Sequence, residues 1–165
     1  MKIRIALFAI LITPLLAFSQ DSEGVPEIKM QFITHIYSSQ KNYAALHTDK
    51  ASENDQYIFY NSGEALGSRY ITIAQSKKDT SQWIYYVEYP METAEDLKNV
   101  ADVEPHVFSV LNLYVKTGRL KGDENTEGDI VRTNLYVAST NEWFGELVTD
   151  NAKKKFHILL TNAHW

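Results

Sequence analysis

A chain of 165 residues with no cysteine and 44% hydrophobic residues is long enough to bury a core, and packing alone must hold that core without disulfides. Its formal charge is −5, from 21 Asp plus Glu against 16 Lys plus Arg, and its basic runs, Lys77-Lys78 and Lys153 to Lys155, are short. That balance argues against a duplex or another polyanion as partner.

The first twenty residues, MKIRIALFAILITPLLAFSQ, place Lys2 and Arg4 ahead of an apolar run from Ile5 to Ile12, followed by the small residues Ala17 and Ser19. This is the order of a secretory signal, expected to span 1–19. Residues 20–165 are then expected to form one α+β domain, exported to the periplasm or the outside. Without Lys2 and Arg4 the chain keeps 14 Lys plus Arg against 21 Asp plus Glu, a formal −7, and no cysteine at Gln20 offers a lipid anchor. No later segment is apolar for long enough to span a bilayer as a helix, so no integral insertion is expected once the signal is gone. The aromatic terminus at Trp165 resembles the last strand of small outer-membrane barrels. Against a barrel stand a helical period at the start of the mature chain and strand faces that mix Asn, Arg and Glu.

From Pro26 to His47, Ile28, Phe32, Ile36, Tyr43 and Leu46 recur near helical spacing, which predicts one long N-terminal helix over 26–47. The polar residues 48–55 should end it. QYIFY, RYITIAQ and WIYYVEYP then read as strands separated by turn-rich loops. Thr93, Glu95 and Asp96 suggest a short capped helix that Pro105 closes. HVFSVLNLYVK, DIVRTNLYVAS and KFHILLTN are three further strand candidates, with GRLKGDENTEG as a polar hairpin loop between the first two. NEWFGELV fits either a strand or a turn of helix. No internal repeat is visible. The predicted fold is α+β: one long N-terminal helix on a curved antiparallel sheet of about six strands, with a short inserted helix.

Strand side chains alternate between faces, so each candidate splits into two rows. Trp83, Tyr85, Val87 and Tyr89 oppose Ile84, Tyr86 and Glu88. Ile71 and Ile73 oppose Tyr70 and Thr72, and Val131, Leu135 and Val137 oppose Arg132, Asn134 and Tyr136. Read the same way, Val107, Leu111, Leu113 and Val115 oppose Phe108, Val110, Asn112 and Tyr114. One greasy and one mixed row per strand is the pattern of a sheet with one covered and one wet face. The mixed face would present Tyr70, Tyr86, Glu88, Asn112, Tyr114, Arg132, Asn134 and Tyr136, rigid rings with hydroxyls beside amides and charges, suited to gripping a small molecule or protein partner.

Chemistry is less specific. DENTEGDI resembles an EF-hand calcium loop from Asp123 onward, but its twelfth place is Asn134, which lacks the carboxylate that would close the oxygen shell, so a solvated acidic hairpin tip is expected. The five histidines form no metal-ligand spacing; neither GxSxG nor a phosphate-binding glycine pattern occurs, and no cofactor is implied. An extracytoplasmic binding protein is the first expectation. The second is a small hydrolase or isomerase in which Glu88, His106 and Arg132 converge in a pocket.

Overall fold

The computed structural model describes residues 27–63, 68 and 70–162; the N-terminal segment, Pro26 and Trp165 lie outside them. Helix α1 (Glu27–Ser39) leads into a four-stranded meander of β1 (His47–Glu53), β2 (Tyr57–Ser62), β3 (Tyr70–Ser76) and β4 (Trp83–Pro90). Helix α2 (Ala94–Lys116) then leads into a second meander of β5 (Leu120–Glu127), β6 (Ile130–Val137), β7 (Trp143–Asp150) and β8 (Lys155–Thr161). All eight strands join one sheet in the order β1-β2-β3-β4-β8-β7-β6-β5, antiparallel throughout. The architecture is thus α+β, with eight strands and two helices among the described residues, where the sequence suggested about six strands.

The N-terminal helix is shorter than its apolar spacing implied. It ends at Ser39, after which Asn42 and Tyr43 take positive φ values of 54° and 55° and fold the chain back. Tyr43 is fully buried, and its hydroxyl donates to the Thr161 carbonyl at 2.8 Å. The apolar residues at 43 and 46 therefore reach the core by a turn instead of a further helical turn. Residues 48–53, expected as the helix terminator, belong to the exposed edge strand β1.

The larger correction concerns HVFSVLNLYVK, which is helix. Thr93 caps α2: its side chain accepts from the Asp96 amide at 3.1 Å while the Asp96 carboxylate accepts from the Thr93 amide at 3.0 Å. Pro105 lies inside the helix instead of closing it. Val100, Val103, Val107, Val110 and Leu111 are buried, a stripe at spacings of three and four. Burial of that stripe outweighs the modest helix-propensity cost of β-branched valine.

One apolar cluster joins Phe32, Ile36 and the α2 valines to Tyr85, Val87, Leu135, Val137, Leu147 and Ile158 of the sheet. Both helices thus cover the same face. GRLKGDENTEG, expected as a loop, forms β5 in unbroken register with β6, closed by a turn in which Gly128 takes φ +60°. Asp123, Asn125 and Glu127 are consequently spread along an extended strand and do not curl around an ion. Neither β1 nor β5 has a second partner among the described residues, and both are almost wholly exposed and polar, which discourages pairing with other chains.

Candidate functional site

Cross-strand register assembles the face that the helices leave open. Glu88 of β4 lies beside His157 of β8, then Val148 of β7, then Arg132 of β6. The neighbouring row runs Thr72, Tyr86, Leu159, Glu146 and Asn134. Tyr86, Leu159, Asn134 and Tyr136 are half-buried, and none of them belongs to the core cluster. Val148 is only 3% exposed, yet it too stands outside that cluster, so it is shielded by neighbours on the open face itself.

Two polar groupings occupy this face. In the first, the Glu88 carboxylate accepts from Lys155 Nζ at 2.9 Å and from the Tyr86 hydroxyl. Burial pushes the Glu88 carboxyl up, but hydrogen bonds from Tyr86 and Lys155, with the charges of Lys155 and His157, outweigh it and hold the group below its ordinary value. Burial and the Glu88 contact raise the Tyr86 phenol, which stays protonated and donates.

In the second grouping, Glu146 bridges Arg132 Nε at 3.4 Å and His157 Nε2 at 3.6 Å. Burial lowers the His157 pKa, although Glu146 pulls it back up. His157 Nδ1 is buried with no hydrogen-bond partner. The tautomer consistent with both facts carries its proton on Nε2 toward Glu146, which leaves a bare lone pair in the interior, cheaper than an orphaned N–H. The ring also packs on Tyr86, with centroids 5.4 Å apart. These contacts fix His157 in place more than they present it to a reactant.

Of the residues expected on the mixed face, Tyr86, Glu88, Arg132, Asn134 and Tyr136 are gathered there. Tyr70 pairs with Glu88 through the backbone, in the same row of the sheet. Asn112 and Tyr114 are not part of this face: α2 carries them on the opposite side of the sheet, where Asn112 is exposed and Tyr114 packs against the core. Glu88 and His106 are likewise separated by the sheet and form no acid–base pair. Lys155, His157 and Glu146 were missed. Their alternation in KFHILLT and WFGELVTD was present in the sequence, but the pairing that brings them to Glu88 and Arg132 is long-range.

The described residues contain no group of three or more His, Asp or Glu side chains placed to hold a metal, and no described helix is long and apolar enough to cross a membrane. Comparison with protein-family models, curated proteins and solved structures found no match for this chain.

Proposed function

We propose that this is an exported binding protein that engages a protein partner through the open face of its sheet, centred on Tyr86, Glu88, Arg132, Asn134 and Tyr136. One observation carries the reading: aromatic, amide and charged side chains from separate strands lie together on the face without helices. Its ionic groups are already paired, Glu88 with Lys155 and Glu146 with Arg132. Such a surface is pre-ordered, so docking costs little side-chain entropy, and its tyrosines supply broad contact area. A macromolecular surface suits it better than a small molecule, because the groups are spread across β4, β8, β7 and β6.

The signal-like segment at 1–19 supports export. The test is site-specific photo-crosslinking in the native cell, with a benzophenone amino acid at Tyr136 or, as a control, at Asn112. A defined adduct is expected from position 136 and not from 112. Tyr86→Ala with Arg132→Ala should reduce the yield at least about tenfold, the effect of losing central contacts. Adducts of equal yield from both positions, or no change in the double variant, would remove the proposal.

A further inference from the structure

The opposite side of the sheet holds a second feature. Among the described residues both helices pack mainly toward β4, β5 and β8, so the helix-side surface of β1 to β3 is flanked by His35 of α1 and by the turn that follows that helix. A cleft of about 310 Å³ opens there. Ile71, Ile73 and Leu46 give it apolar walls, and His35 and Tyr85 lie at its inner end, sharing a hydrogen bond of 3.0 Å between the Tyr85 hydroxyl and His35 Nδ1. Both are nearly inaccessible, at 4% and 1% exposure. His47 stands at the side, its ring stacked on Trp83 at 4.9 Å and tilted against Tyr60 at 4.7 Å, which makes that wall rigid.

We propose that this cleft is a binding site for a small, uncharged, largely apolar molecule with one hydroxyl or carbonyl group, which meets the His35–Tyr85 pair. Three features set the ligand class. The described lining contains no carboxylate, ammonium or guanidinium, so a charged ligand would be desolvated without a counter-ion. Burial keeps His35 neutral down to a pKa of about 4, so the pair offers a dipole and not a charge. The volume falls at the small end of the ~300–1,000 Å³ typical of ligand pockets, and an apolar cavity of about 150 Å³ already admits benzene, so a bicyclic ring has room.

The experiment titrates the full-length protein with 2-naphthol, naphthalene and 2-naphthoate, following backbone amides by two-dimensional NMR. Saturable shifts at Ile71, Ile73 and Tyr85 are expected with 2-naphthol, and none with naphthoate at the same concentration. Tyr85→Phe should weaken 2-naphthol about fivefold, the worth of one neutral hydrogen bond, and leave naphthalene unchanged. Ala45→Trp at the rim, or Ser62→Phe if that variant does not fold, should abolish binding, whereas Tyr86→Ala on the other face should not alter it. Absence of saturable shifts, equal binding of naphthoate, or binding that survives a blocked rim overturns the proposal.

Discussion

At the scale of single residues, the same chemistry plays different parts on the two faces. His157 meets a carboxylate from the next strand, whereas His35, buried at the inner end of the cleft, hydrogen-bonds a phenol. Burial therefore lowers the His35 pKa from 6.5 to about 4. A histidine held neutral in the fold but free to charge in the unfolded chain stabilises the protein fully above the unfolded value, and that contribution is lost as pH falls from 6.5 toward 4. The whole shift corresponds to roughly 3 kcal/mol. His157, also lowered, acts with the same sign. Glu88, whose carboxyl is depressed from 4.5, adds its own loss only below that pH. The His35 ring-carbon shift in an NMR titration should move with a midpoint near pH 4; a midpoint near 6.5 would show that the ring is not enclosed as described. Alternation in the sequence put Tyr86, Glu88, Arg132, Asn134 and Tyr136 on one face of the sheet, and the strand register does the same. It could not locate Glu146 beside His157, because that contact depends on β7 pairing with β8 and on nothing local.

Elements were legible where one face is buried and the other wet. WIYYVEYP alternates strictly between buried and half-buried positions, so its period showed through. Residues 106–116 misled because valines and leucines there satisfy a period of two on paper, while the chain obeys the helical period begun at the Thr93 cap. Edge strands β1 and β5 bury almost nothing, so no hydrophobic pattern announced them; their hydrogen bonds come from one neighbour each. Gly145 shows how tightly the paired strands meet. A Cβ there would lie 2.1 Å from the Leu159 carbonyl oxygen and 2.9 Å from Leu160 Cα, both backbone atoms that cannot rotate away. Gly145→Ala should therefore force β7 off β8 and cost at least about 3 kcal/mol in urea denaturation. A change within ~0.5 kcal/mol of the parent, the range of ordinary surface substitutions, would mean that the two strands are not in this register.

Across the whole molecule, the chain repeats one plan, a helix followed by a four-stranded meander, and joins the two copies where β4 pairs with β8. That repetition is invisible in the sequence because its halves share order but not residues: α1 has 13 residues and α2 has 23. The plan places both helices over one face, and among the described residues no helix covers the other, the surface proposed for recognition. Because the chain has no native cysteine, single introduced thiols report each face without background. The decisive measurement is the maleimide labelling rate of Arg132→Cys against Val137→Cys, positions on opposite faces of β6, under native conditions. Position 132 should react as an exposed thiol does, and position 137, whose native side chain is 1% exposed, only as fast as the protein opens. Equal fast labelling of both, in variants that still unfold cooperatively, would contradict the division of faces on which the proposed recognition surface depends.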